Sequence, residues 1–328
     1  MAHEIDTTTG KAAIAFVGDT PWHKLGQEMQ PGQSIEQWQE AAGMNFHINS
    51  AAVHYKSHPD NVYASDIVTG KKVLYRSDTG KSLAVVSDTY KVVQPREVLE
   101  FYRDLTDKAG FQLETAGVLR EGRKYWALAS MGQDAKVLDD QLKGYLLLGT
   151  ACDGTMATTA MFTSVRVVCA NTLGFAMHEA ETGKAKNVVR INHRSVFDET
   201  SVKAQLGIAA TSWNSFMQSV DVWCGTPVDE VTAKQYFDEV ASYTTTDGDV
   251  VVSKKTTETL MNLFQGGGMG SQLTTAKGTV WGLINAVTEY VDHHKGRTAD
   301  GRMDRAWFGD GQAIKSLAVD KANELALV

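Results

Sequence analysis

Three cysteines, Cys152, Cys169 and Cys224, are all that 328 residues contain. An odd number at wide, irregular spacing is neither a disulfide framework nor a zinc pattern. No stretch approaches the roughly 18 to 20 consecutive apolar residues of a membrane helix, so no membrane span is expected. The opening residues Met-Ala-His-Glu-Ile-Asp place acids early and lead into no apolar core of the secretory kind, so no secretory signal is expected. Positive charge is also short, with 32 Lys plus Arg against 39 Asp plus Glu and a formal charge of -7. That balance excludes a nonspecific basic coating protein, although a local basic groove is compatible with it because phosphates feel short-range fields.

Recognisable catalytic signatures are missing as well. The glycine cluster at 266–270 lacks the Gly-Lys-Ser/Thr ending of a nucleotide loop and follows no clear strand, so it reads as a flexible interhelix loop. No Gly-x-Ser-x-Gly elbow occurs, and Cys169 sits among apolar neighbours as a small core residue would. His47, His54, His58 and Asp60, with His293 and His294 farther on, do not have the spacing of a compact metal site. Neither a cofactor nor a metal is expected, and no residue is assigned a catalytic role.

What is present suits a folded protein. Hydrophobic residues make up 43% and charged residues 22%, with a mean hydropathy of -0.24, which excludes a wholly disordered chain. The length allows one large or two medium domains. Charge is uneven: from Ser201 to Val250 only Lys203 and Lys234 face seven acids.

The periodicity divides the chain in three. Residues 1–45 read as an irregular arm, with a turn at Pro21-Trp22-His23 and a short helix opened by the capping box Ser34-Ile35-Glu36-Gln37. Residues 46–196 read as a sheet-rich core of six to eight strands in the 46–163 stretch. Hairpins are expected at Asp78-Thr79-Gly80, Arg120-Glu121-Gly122 and Cys152-Asp153-Gly154, and one inserted helix from Pro95 to Gly110. Residues 197–328 read as helical, with long helices over 198–223 and 276–293 packed by Trp213, Phe216, Val280, Trp281 and Ile284. Strands first and helices later define an α+β class, with a mainly antiparallel sheet in the N-terminal half and a helical C-terminal half.

Cations interleaved with aromatic residues are the strongest functional signal. Arg120, Arg123 and Lys124 precede Tyr125 and Trp126, while Lys91 and Arg96 flank a turn beside Tyr90. Lys184, Lys186, Arg190, His193 and Arg194 form a positive run, and Lys295, Arg297, Arg302 and Arg305 another that ends at Trp307-Phe308. Arg166 precedes an apolar segment expected to hold its guanidinium in place. Single-stranded nucleic acid suits such a mixture, since cations neutralise phosphates and ring faces stack on unpaired bases. The ordinary alternative is a solvated loop surface around core tryptophans.

Several segments carry a resemblance. Pro21-Trp22-His23-Lys24-Leu25-Gly26, Val86 to Gln94 (Val-Ser-Asp-Thr-Tyr-Lys-Val-Val-Gln), Glu114-Thr115-Ala116-Gly117, Phe162 to Leu173, and Trp281 to His293 resemble the phage/plasmid-like family of unknown function found in phages, prophages and plasmids. Lys24 stands where a glycine is expected in the arm motif. The unit at 83–109 is similar, in element order, to the β-β-β-α core of phage annealing recombinases such as lambda Red beta, RecT and Erf. The family conveys a mobile-element setting and almost no chemistry; with the basic-aromatic clusters and the lack of a catalytic signature, the expectation is an ATP-independent single-stranded DNA-binding and annealing protein of a phage or plasmid. It would act in recombination or replication as a homo-oligomer in the host bacterial cytoplasm. The alternatives are an interaction protein that neutralises a host defence factor through the acidic 221–249 region, with a host or phage protein as partner, or a structural virion component.

Overall fold

The computed structural model describes the chain except for residues 1–3, 19–24, 59, 61–64, 167–170, 175–187, 206–209, 297–304, 308 and 327–328. Two compact units interleave along it. One comprises Met1–Met131, Leu146–Met161 and Val188–Gln205, and the other Gly132–Tyr145, Phe162–Asn187 and Leu206–Val328. These are not consecutive blocks divided near 45 and 196. The hairpin formed by β7 (Lys124–Val137) and β8 (Asp140–Ala151) begins in one unit and turns in the other, so long strands carry the chain between them.

In the first unit the arm is not irregular. Ile14–Val17 forms β1, paired antiparallel with β6 (Gln112–Leu119) and parallel with β2 (Gln27–Met29). The segment Ala13 to Phe16 is apolar without alternation and wholly buried, as in a strand covered on both faces; periodicity therefore gave no strand signal. The Pro21-Trp22-His23 turn lies outside the described residues. The capping box forms as the sequence predicts. Ser34 accepts from the Gln37 N–H and Gln37 reaches back to the Ser34 N–H, opening α1 (Ile35–Ala41). After α1, Gly43 takes a positive φ of 66° with Ala13 packed against it, a position where a side chain has neither the dihedral nor the room.

Strands β3 (Ile48–Tyr55), β4 (Asp66–Arg76) and β5 (Ser82–Ser87) make a separate three-stranded antiparallel sheet. The next element is α2 (Pro95–Lys108), whose N-terminus carries Pro95 and the Glu97 carboxylate on the Gln94 N–H. This sheet is anchored by Arg76, which is 1% exposed. Its guanidinium meets Asp6 and Asp78 and lies over the Phe46 ring at 4.0 Å. Tyr102 of α2 sets its hydroxyl 2.8 and 3.0 Å from the carbonyls of Ala127 and Leu146, tying the helix to β7 and β8.

The main sheet runs β10-β9-β8-β7-β6-β1-β2, with β9 spanning Thr158–Arg166 and β10 spanning Asn171–Gly174. β11 (Val188–Ile191) pairs with the first half of β9 and β10 with the second. Among the described residues, seven strands and one α-helix thus begin within 46–163, the last strand running on to Arg166, and all three predicted turns join neighbouring strands.

The second unit is largely helical. The long helix expected over 198–223 is instead α3 (Glu199–Gln205), which belongs to the first unit, and α4 (Ala210–Gly225), with 206–209 outside the described residues. The helix expected from 276 starts at Val280, because Thr279 caps the Gly282 N–H and residues 274–278 are turns; it is α7 (Val280–Glu289). All ten residues of α7 are buried. Trp281 stacks on Trp223 at 6.1 Å and its Nε1–H donates to Asp140 at 3.0 Å. Trp213, Phe216, Val280 and Ile284 are buried with it, as predicted. α5 (Glu230–Val240), α6 (Lys254–Asn262) and α8 (Asp310–Ala326) complete the helices, and Lys315 of α8 is buried against Asp292 at 2.5 Å. Between α5 and α6 lies a hairpin that periodicity missed, β12 (Ser242–Thr244) and β13 (Val250–Val252).

Candidate nucleic-acid interface

The hairpin that led the sequence argument does not present its aromatic rings. Tyr125 is 0% exposed and Trp126 1%, and Lys124 is buried as well. β7 lies between β6 and β8, and from Lys124 to Met131 its successive side chains are buried whichever way they point. The Tyr125 hydroxyl bonds the Val93 carbonyl, and burial pushes its ionisation well above the usual tyrosine range. These rings are core residues and cannot stack on bases. Arg120 is ion-paired to Glu4 at 2.6 Å, and Arg96 to Glu100 at 3.1 Å, so both carry a neutralising partner. Arg123 is half-buried, with its Nε out of solvent and without an acceptor among the described residues.

Of the remaining cations, Arg297, Arg302, Lys184 and Lys186 lie outside the described residues. Arg166 contributes backbone to β9 opposite Asn171, and its side chain is likewise outside the description. Arg305 is exposed in the second unit, near Asp310.

The structure does bring one set together, within the first unit. The Lys91 N–H donates to the His193 carbonyl at 2.6 Å. The His193 ring nitrogens lie 2.9 and 3.1 Å from the carbonyls of Lys91 and Met156, and its ring stacks on Tyr90 at 4.5 Å. Tyr90 in turn bonds the Ala151 carbonyl through its hydroxyl. This packing holds the 90–94 segment against 192–197 and sets the exposed side chains of Lys91 and Arg194 on adjoining segments. Arg190, exposed on β11, lies four residues before Arg194.

Lys72 completes the group, and sequence reasoning missed it. From β4 its Nζ donates to the Tyr90 carbonyl at 2.8 Å. Lysine within a hairpin strand carries no pattern of its own; its role depends on which loop the strand meets. A cleft of about 310 Å³ opens here, lined by Ser50, Lys72, Leu74, Tyr90, Lys91 and Phe197 among others. One carboxylate, Glu97, also lines it, and that carboxylate is engaged at the start of α2. Lys72, Lys91, Arg190 and Arg194 have no ion pair with any described residue. A cleft lined by two lysines, with polar and apolar side chains beside them, offers cations to a phosphate-bearing chain.

The other candidates resolve into structure. The glycine cluster wraps an internal anion, since the Met269 N–H points at both oxygens of Glu289, 3.2 and 3.0 Å away. A bound phosphate would have to displace that buried carboxylate. The loop itself is an extension of α6 through a π-turn at Leu263–Gly267. Cys152 is buried, which pushes its thiol up to about 12, so it is not a thiolate at neutral pH. His47, His54 and His58 are exposed, and among the described residues no three His, Cys, Asp or Glu side chains gather as metal ligands do. No described helix is long and apolar enough to cross a membrane.

The fold is therefore an α+β protein with a mainly antiparallel sheet and a helical C-terminal half. Residues 82–307 match the family described as a Domain of unknown function (DUF932), and the chain belongs to that family. The match runs from the start of β5 past α7, so four of the five segments quoted above lie within it and Pro21 to Gly26 lies before it. No curated protein and no solved structure matches the chain.

Proposed function

We propose that this protein is an ATP-independent single-stranded DNA-binding and annealing protein of a phage or plasmid, acting as a homo-oligomer in recombination or replication. The observation that carries the reading is the cleft lined by Lys72 and Lys91, neither of which forms an ion pair with a described carboxylate, together with Arg190 and Arg194, which belong to the same unit and likewise have no ion pair with a described residue. In a chain of net charge -7, two cleft lysines, one of them bonded through its backbone to the segment that carries Arg194, are a local field suited to phosphates. The element order β3-β4-β5-α2, three antiparallel strands and then a helix, adds likeness to annealing recombinases at the level of topology.

Annealing requires no group that makes or breaks a bond. The strand must be held by its phosphates while its base edges stay open to a complement. With Tyr125 and Trp126 interior, the contacts proposed are those of Lys72, Lys91, Arg190 and Arg194. Tyr90 and Phe197 are the aromatic side chains that line the same cleft.

The test is a salt titration of binding to a fluorescent oligothymidine, without ATP or divalent metal. Wild type is expected to bind at low salt. Replacing both Lys91 and Arg194 by Ala should weaken binding and reduce the logarithmic salt slope by about 1.4, at about 0.7 per lost phosphate contact. Circular dichroism should be unchanged, since both side chains are exposed. Absence of wild-type binding at low salt sinks the reading; an unchanged slope in a folded variant removes these two residues from the interface.

A further inference from the structure

Away from the lysine-lined cleft, the first unit holds a larger hollow of about 510 Å³, lined from α1, β2 and residues 9–13. Small residues leave the room for it, since Ala13 and Gly43 lie in its wall. Of its lining side chains only Lys11 and Glu40 are charged, and they are of opposite sign. Both are exposed, and neither has an ion pair with any described residue, the other included. Most of the remaining polar lining is carboxamide, from Gln27, Gln33, Gln37 and Asn45.

Hydrogen bonds fix how two of these carboxamides are turned. The Gln33 side-chain oxygen accepts the Gln30 N–H at 3.1 Å, and that of Gln37 accepts the Ser34 N–H at 2.9 Å. Each therefore keeps its NH2 group as the end without a partner among the described residues, and an NH2 group only donates. Gln27 and Asn45 have no side-chain partner among the described residues, so each keeps a donor and an acceptor. Glu40 lies three residues on from Gln37, one turn along the same side of α1, and its carboxylate accepts. The hollow thus has donors at Lys11, Gln33 and Gln37 and an anionic acceptor at Glu40.

A ligand of a single charge would leave either Lys11 or Glu40 facing its like, whereas a ligand with both charges matches both. We propose that this hollow binds a free α-amino acid with a polar, uncharged side chain. The ligand carboxylate takes the donors of Lys11, Gln33 and Gln37, and the ammonium takes the Glu40 carboxylate. Its side chain meets Gln27 and Asn45, which can donate or accept as required. The volume lies within the range of small-molecule pockets. The inference stands apart from the DNA-binding reading, because it uses none of the cleft residues.

The full-length chain is titrated calorimetrically with L-glutamine, L-asparagine, L-serine and L-threonine, each up to about 10 mM, which covers millimolar dissociation constants. At least one is expected to bind, with its N-acetyl and α-amide forms, each lacking one charge, about tenfold weaker. Glu40→Gln should weaken the free amino acid about tenfold and leave the N-acetyl form unmoved, since that form has no ammonium to lose a partner. Lys11→Met should likewise weaken the free amino acid and spare the α-amide form. Circular dichroism should be unchanged, because both side chains are exposed. Matching each variant to the ligand form that lacks its partner separates binding from damage to the fold, which would weaken every form alike. Absence of wild-type binding to all four amino acids overturns the proposal, as does binding that Glu40→Gln and Lys11→Met both leave unmoved.

Discussion

The three-stranded sheet β3–β5 and the hairpin β12–β13 both stand outside the main sheet, and they solve the same problem in opposite ways. The first buries one guanidinium completely, holding Arg76 between Asp6, Asp78 and the Phe46 ring, and packs Leu74 out of solvent beside it. The second buries nothing apolar and leaves its tyrosine and valines in water. A sheet fastened from below is free to expose cations, whereas a hairpin with no fastening exposes the apolar side chains that would have to provide one. The exposed chemistry thus differs: cationic side chains on one, and a tyrosine and three valines on the other.

The comparison breaks most directly at Arg76. Arg76→Leu leaves Asp6 buried and uncompensated, and should cost about 3–5 kcal/mol in urea unfolding. A loss below about 1 kcal/mol would mean that the sheet is not fastened there.

The second unit should respond comparably at its own core and far less at its hairpin. Trp281→Ala removes the stack on Trp223 and the bond to Asp140, with an expected cost of about 3–5 kcal/mol. An unchanged melting temperature would contradict its burial.

Acid sharpens the comparison further. The hydrogen bonds and charge of Arg76 hold the Asp78 carboxyl below its ordinary value of 3.8. A depressed carboxylate contributes stability in full above its unfolded value and loses it as pH falls through the lower folded value. Below about pH 4, wild-type melting temperature should therefore drop more steeply than that of Asp78→Asn. Parallel curves would detach Asp78 from the anchor.

The smallest effect is expected at the hairpin itself. Val251→Thr, measured on dilute protein, should change stability by no more than about 0.5 kcal/mol, as for other exposed positions. A larger loss under those conditions would show that β13 packs within its own chain.

Much of the local structure was legible. The capping box at Ser34, the proline start and glycine stop of α2, and the turns at Asp78-Thr79-Gly80 and Cys152-Asp153-Gly154 are short-range chemistry, and each lies where that chemistry puts it. β1 was not legible, because a strand buried on both faces loses the alternation that marks strands, and β12–β13 was too short to show a period. The candidate site was legible only in part. Lys91, Arg190 and Arg194 were marked by charge, but Tyr125 and Trp126, adjacent to the densest cations, proved interior.

The amino-acid order by itself determined the α+β class and most element positions, because caps, turns and periodicity act within a few residues. Only the tertiary structure decided which cations remain unpaired, which aromatics are core, and that Lys72 meets Tyr90 from a strand 18 residues away. It also decided that the glycine loop encloses Glu289 and that β13 keeps an open edge. Those outcomes depend on which segments become neighbours, and burial and ion pairing are properties of neighbours in space rather than in sequence.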